Sequence, residues 1–328
     1  MSISTRTSAE PGRDAPSGDD AVQPFAVEAL EVRGRVVRLA GVVDDILSRH
    51  DYPPSVSRLL GEAIALGVLL GSSLKIDGRF ILQTQSDGPI RMMVVDYTAP
   101  GSVRACAKFD AASVAAAETG GNVAALLGRG HLAMTIDQGP DMNRFQGVVP
   151  LEGQTLAEAA DLYFRQSEQI PTHVSLAVAE RLVPGAQKAH WRAGGLLLQY
   201  LPREGGLARP RDLPPGDVPA GIEMPVEHED DTWREARLLA ETVEVDELID
   251  PTISPQRLLY RLFHERGVRV FEPGDLKHEC RCSRPRVEQM LSQFTAEERT
   301  DMLDEHGNII VTCEFCSTTY DFDPKQFD

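Results

Sequence analysis

Positive charge is scarce in this chain. Its 328 residues hold 33 Lys and Arg against 50 Asp and Glu, for a net charge of -17 and a pI near 4.9. A field of that sign repels phosphate backbones and anionic lipid, which argues against nucleic acid as a principal ligand. Long apolar runs are missing too. The longest, Ala63 to Leu70, already contains Gly67 and stops at Gly71-Ser72-Ser73, short of the roughly 20 residues that span a bilayer. No membrane helix is expected. The Ser-, Pro- and Asp-rich N-terminal stretch has no apolar region of the kind that marks a secretory signal, so a disordered leader over 1–22 and a reducing, cytoplasmic setting are predicted. Catalytic signatures are also wanting. There is no GxxxxGK followed by Ser or Thr, the glycines between Gly67 and Lys75 lacking that ending, and no GxSxG, HExxH or GxGxxG. His131, His173 and His190 have no Ser or Cys pattern beside them that suggests a nucleophile pair. Nothing here argues for an enzyme.

Cysteine is sparse but clustered. Five are too few for a disulfide scaffold, yet four of them fall in the last 49 residues. Cys280-Arg281-Cys282 and Cys313-Glu314-Phe315-Cys316 are separated by 30 residues, enough to fold and return the second pair to the first. Zinc favours four thiolates in a closed tetrahedral site, so one Zn2+ per chain held by Cys280, Cys282, Cys313 and Cys316 is the expectation. Four unligated thiols, or a thioredoxin-like use of the CxxC half, are the competing readings; the second needs a βαβ setting, whereas Cys313 follows a short strand-like run, Asn308 to Thr312. His278 and His306 are expected to be solvated, because four sulfurs already fill a tetrahedron. A CxC pair in a bent segment can approach disulfide range with strain, and strained disulfides are the labile, regulatory ones, so a redox switch is plausible. Lys277, Arg281, Arg284 and Arg286 surround that pair and favour its thiolate form. Cys106, in the alternating run Val103 to Phe109, reads as a buried core thiol.

At 100 to 200 residues per domain the length suggests about two domains. Phe25 to Leu39 alternates as a strand, and Val42 to Ser48 and Ser55 to Leu70 have helical spacing. Strands are expected over Gly78 to Thr84, Ile90 to Tyr97, Gly101 to Phe109, His131 to Ile136, Arg144 to Leu151, Thr172 to Glu180 and Gly194 to Leu201, and Thr155 opens a helix with capping-box spacing. The predicted class is α+β: a mixed, strand-rich N-terminal domain over 23–226, an acidic helical linker over 227–277 and a small zinc-binding domain over 278–328. Glu223 to Asp250 carries eleven acidic residues against Arg234 and Arg237, more than half of the net charge. Even so, Trp233, Ala236, Ala240 and Val243 recur at helical steps, and Leu258, Leu259, Leu262 and Phe263 stripe a second helix that starts at Ser254-Pro255. Two such helices need a surface to cover. Between the cysteine pairs, two short helices and a strand are expected.

With these residues in view, the chain resembles the heat shock protein 33 family, the zinc-containing, redox-regulated holdase chaperones. The specific matches are the CxC and CxxC pairs, the segment Tyr163-Phe164-Arg165-Gln166-Ser167-Glu168-Gln169-Ile170-Pro171-Thr172, and Ala193-Gly194-Gly195-Leu196-Leu197-Leu198-Gln199-Tyr200-Leu201-Pro202. The resemblance covers most of the chain from about residue 25. It implies an ATP-independent holdase that is inactive when reduced and zinc-bound, and that is activated under oxidative stress by zinc release and unfolding of the C-terminal domain and linker. It implies disulfides Cys280 to Cys282 and Cys313 to Cys316 after oxidation. Unfolding client proteins are the expected partners, a homodimer is expected when oxidised, and Trp233, Leu258, Leu259, Leu262 and Phe263 are expected to cover the client surface. Cys106 and the leader stand outside the family's pattern. A zinc-ribbon nucleic-acid module and a CxxC thiol oxidoreductase are the alternatives.

Overall fold

The structure is a computed structural model that describes residues 18–74, 77–120, 126–139, 142–182, 188–201 and 230–327. The stretch expected as one strand over Phe25 to Leu39 is a hairpin. Strand β1 (Ala21–Val27) reverses through a short turn at Glu28–Leu30 into β2 (Val32–Leu39). Glu31 takes the left-handed conformation there, with φ of 54°, in a turn with no Gly, Pro or Asn to announce it. The expected leader boundary at 22 also moves. β1 starts at Ala21, and the Asp20 carboxylate accepts from the N–H groups of Ala40, Gly41 and Val42 at 2.9, 2.9 and 3.0 Å, satisfying the open first turn of helix α1 (Gly41–Leu47). Residues 1–17 lie outside the described residues.

Helix α2 (Pro54–Ser73) follows, opened by Pro at its first position. Strands β3 (Arg79–Ser86), β4 (Ile90–Thr98) and β5 (Ser102–Phe109) form an antiparallel meander. A helix with no sequence-level expectation comes next, α3 (Ala111–Thr119), N-capped by Asp110; its alanine-rich repeat leaves no apolar stripe to read. Strands β6 (Arg129–Asp137) and β7 (Phe145–Glu152) continue the sheet. Helix α4 (Leu156–Tyr163) has the anticipated Thr155/Glu158 capping box and leads to β8 (Thr172–Arg181) and β9 (His190–Tyr200).

Beyond residue 230 the acidic segment forms three helices instead of two: α5 (Asp231–Glu241), α6 (Val245–Ile249) and α7 (Pro255–Phe263). Val243 lies between helices because Glu244 starts α6 with a capping box to Glu247. Three two-residue strands then tie the chain to the body, β10 (Arg269–Val270), β11 (Gly274–Asp275) and β12 (Lys277–His278). The C-terminal module holds α8 (Arg284–Leu291), α9 (Ala296–Asp301) and the hairpin of β13 (Ile309–Thr312) with β14 (Thr319–Phe322).

Two large sheets enclose α2. One runs β10–β1–β2–β9–β8, with β11 also on β1, and the other runs β12–β5–β4–β3–β6–β7. Close approach on both sides fixes the helix between them: a Cβ on Gly61 would come within 2.9 Å of Val178 on β8, and one on Gly67 within 2.8 Å of Val95 on β4. By length and composition α2 could cross a membrane, an expectation that the eight-residue run in the sequence did not carry; here 78 % of the helix's apolar window is buried inside the body. It is the core helix.

The outer face of the first sheet is covered as well. Phe25, Val27, Val32, Val36, Leu196 and Leu198 form one buried cluster with Trp233, Ala236, Ala240, Leu248, Leu258, Leu259, Leu262 and Phe263. Gly194 makes the fit possible, since a Cβ there would lie 2.2 Å from the carbonyl oxygen of Leu248 in α6. Its backbone is not in the left-handed region, so Ala is tolerable in β9 itself. Gly194→Ala should therefore lift α6 while sparing the sheet: hydrogen exchange over residues 245–249 should speed at least tenfold with β9 still protected. Unchanged exchange over α6 would show that the approach is not limiting.

Candidate metal centre

Two local structures deliver the four sulfurs. Cys280 and Cys282 lie in the extended segment just after β12, which pairs in parallel with β5 and so starts from the edge of the second sheet. Cys313 and Cys316 occupy the turn between β13 and β14. That turn is closed by hydrogen bonds from Cys313 N–H to the Thr318 carbonyl at 2.9 Å and from Ser317 N–H to the Cys313 carbonyl at 2.8 Å, with Ser317 at φ 55°. All four Sγ atoms lie within 4.8 Å of one another. Cys280 and Cys313 are 3.7 Å apart and Cys282 and Cys316 are 3.3 Å apart. Four thiolates at about 2.3 Å from one tetrahedral ion are about 3.8 Å from each other, whereas a disulfide is about 2.05 Å, so the cluster has the dimensions of a metal site and not of a bridge.

The surroundings differentiate the thiols. Burial pushes Cys282 up to about 12. Burial also raises Cys316, but hydrogen bonding with the Thr318 hydroxyl and N–H, and with Cys282 and Cys280, outweighs it and brings that thiol down to about 6. Thiolates this close repel each other, so cation binding and proton loss are coupled. The fifth cysteine stands apart. Cys106 shares a face of β5 with Arg104 and Lys108, and burial lifts its thiol to about 12. His306 is exposed as expected, but His278 is half-buried with its Nε2 lacking a partner, and burial lowers its pKa. Neither belongs to the four-residue cluster.

What sequence reasoning missed is how the module is seated. Arg281, the residue between the first two cysteines, reaches both carboxylate oxygens of Asp96 on β4 at 2.7 Å and Thr98 Oγ1 at 3.0 Å. Arg104 on β5 pairs with the same carboxylate at 2.8 Å, and its guanidinium carbon lies 4.1 Å from the Phe315 ring centroid. Its pKa is raised: burial opposes the charge, and hydrogen bonds to Asp96 and Cys280 overcome that. Asp96 is only 3 % exposed. His50 adds a hydrogen bond between its Nδ1 and Ser317 Oγ at 2.9 Å, and Lys108 pairs with Glu314 at 3.0 Å. The other cations near the first cysteine pair are engaged elsewhere, Arg284 over the Phe322 ring, Arg286 with the Arg281 carbonyl and Lys277 with Glu279. Spacing alone could flag the cysteines; no local pattern marks a carboxylate almost two hundred residues away.

Asp96 therefore carries the docking. Asp96→Asn leaves two guanidiniums against a neutral group, a loss of about 3 kcal/mol and thus about a hundredfold more undocked module. Cys106 lies on the strand face that the module covers, so its alkylation in the variant should accelerate by about that factor at unchanged metal content. An unaltered rate would place the docking energy elsewhere.

A family model described as Hsp33 protein matches residues 20–323. A 33 kDa chaperonin of Caulobacter vibrioides is 48 % identical over 309 residues, covering 93 % of this chain and 95 % of the relative. A 33 kDa chaperonin of Nitrosococcus oceani is 37 % identical over 304 residues, with 93 % and 91 % covered. Among solved structures, the 33 kDa chaperonin (heat shock protein 33 homolog) of Thermotoga maritima shares the fold, with a TM-score of 0.72 over 94 % of this chain and 96 % of that one, at 23 % identity. With nearly the whole chain matched, this protein belongs to the Hsp33 family.

Proposed function

We propose that the chain is an ATP-independent holdase whose client surface is closed in the reduced, zinc-bound state and opened by oxidation. The chain is a chaperone of the Hsp33 family and not an enzyme. The observation that carries the redox-switch reading is the buried apolar face of the first sheet, roofed by three helices that continue through β10 to β12 into the four-cysteine module. Cys280, Cys282, Cys313 and Cys316 would hold one Zn2+, which supplies a structural cross-link. Zinc fits the all-sulfur donor set and the spacing of its members.

Oxidation takes the ligands away. A thiolate attacks hydrogen peroxide, giving a sulfenic acid and hydroxide, and the neighbouring thiol displaces water from the sulfenic sulfur to form a disulfide. Each pair thus consumes one peroxide and yields one water and one hydroxide, which takes a proton from solvent to become a second water, and the reading assigns the bridges to Cys280 with Cys282 and to Cys313 with Cys316. Without the cross-link, the module's own apolar core among the described residues is Leu291, Ile309 and Phe322. It should unfold, releasing the end of the linker at β12. Helices α5 to α7 then detach, and unfolding clients meet the bared apolar sheet while the acidic chain keeps complexes dispersed. The proposed compartment is the cytoplasm.

The competing readings are weaker on this geometry. The CxxC pair sits in a β-hairpin turn and not at the head of a helix, where thioredoxin-like thiols are activated. The module's arginines are spent on Asp96, Phe322 and backbone carbonyls, which among the described residues argues against the basic face that a nucleic-acid ribbon needs. The test is light scattering from a thermally unfolding client with reduced and with peroxide-treated chain. Suppression only by the oxidised form is expected; equal behaviour of the two forms would refute the switch. Sedimentation of the oxidised form tests the homodimer expectation.

A further inference from the structure

The covered face of the first sheet ends in cations. Along the register of β2 with β9, Val32 faces Tyr200, Gly34 faces Leu198 and Val36 faces Leu196; the next pair on this face is Arg38 with Gly194. Arg38 is completely buried. One of its terminal nitrogens donates to the carbonyl of Asp250 and the other to that of Glu247 at 2.7 Å, while Nε has no partner. Beside it on β9, Arg192 donates from Nε to the Ile249 carbonyl at 2.8 Å and grips Asp19 at two points, 3.0 and 2.5 Å. Glu247, Ile249 and Asp250 form the C-terminal end of α6, where carbonyls lack helical partners and the helix dipole is negative. Within a few residues, then, the linker presents to this face an apolar side chain, Leu248, and a set of backbone acceptors.

We propose that this face, once the linker has left, binds peptide segments in which apolar side chains are flanked by carboxylates, with Arg38 as the recognising cation and Arg192 beside it. The inference rests on the uncovering proposed above. When α6 departs, Arg38 loses both terminal partners, whereas Arg192 keeps Asp19. A guanidinium at the edge of an apolar floor is partly desolvated and has a fork that matches a carboxylate, so the replacement for three carbonyls is an acidic group. The net charge of -17 pulls the other way and would favour cationic peptides. A preference for acid must therefore arise locally.

The test uses the oxidised full chain and three fluorescent peptides that share one apolar segment and are flanked by Glu, Gln or Lys, with hydrogen exchange followed on the same sample. The Glu peptide should bind about tenfold more tightly than the Gln peptide. Arg38→Gln should bring that ratio close to one, Arg38→Lys should restore part of it, and Arg192→Gln, which leaves the buried Arg38 intact, should lower it. Equal affinities with protection lost over residues 231–263 would overturn the preference alone, as would a ratio that survives Arg38→Gln. Protection retained over 231–263 would overturn the uncovering and the site with it.

Discussion

Replacing Leu258 and Leu262 with Ser should yield a chain that suppresses client aggregation under reducing conditions with its metal still bound. Both side chains are buried between α7 and the first sheet, at 0 and 5 % exposure. Truncating a buried Leu costs about 2–5 kcal/mol, and each Ser also brings a hydroxyl into an apolar site. Together the changes weaken the closed form by about 4–10 kcal/mol, while about 5.5 kcal/mol is enough to carry a two-state element from 99:1 closed to 99:1 open. The sheet's own members, Val36, Leu196 and Leu198, are untouched. Hydrogen exchange over 231–263 should quicken and a hydrophobic dye should bind, with zinc content at one per chain. A variant as inactive and as protected as the parent would mean that the helices are not the cover.

Peroxide with mild heat, or hypochlorite, should release the metal and unfold residues 278–327 while the body stays folded. Structural zinc contributes roughly 10–16 kcal/mol in small metal domains. Three fully buried apolar side chains, at about 1.5–3 kcal/mol each, cannot replace that. Mass mapping should find bridges within each cysteine pair, and reductant with zinc should reverse the change. Cys106→Ser should leave metal content unaltered, because that thiol lies outside the cluster. Cys280→Ser combined with Cys313→Ser should abolish zinc binding. Full retention in that double variant would sink the site, and a bridge from Cys106 to the cluster would refute the pairing.

Much of this architecture could be read from residue patterns. The strands around Ile90 and Gly101, the capped start at Thr155 and the paired cysteines carry their own local signals, namely alternation, a reciprocal cap and ligand spacing. The failures share a cause. The turn at Glu31 uses a left-handed Glu, α3 has no apolar stripe, and β10 to β12 are two residues long and exist only because an edge of the body is there to receive them. The seating of the cysteine module depends on Asp96, Arg104 and Arg281, which meet across the fold. A partner so distant leaves no trace in either neighbourhood. The helical stripes of the linker implied that something lies beneath them, but not which sheet.

The position of α2 sets how far opening can go. A helix packed on both sheets makes the body one cooperative unit, because neither sheet can leave without exposing the other's side of the same core. The roof and the cysteine module contribute nothing to that inner layer. Activation should accordingly strip an outer shell from a rigid platform instead of loosening the whole molecule, and the oxidised chain, its shell already unfolded, should show a single melting event near the body's transition in the reduced form. A working chaperone that keeps its own core out of the exchange is spared from becoming a client of its neighbours.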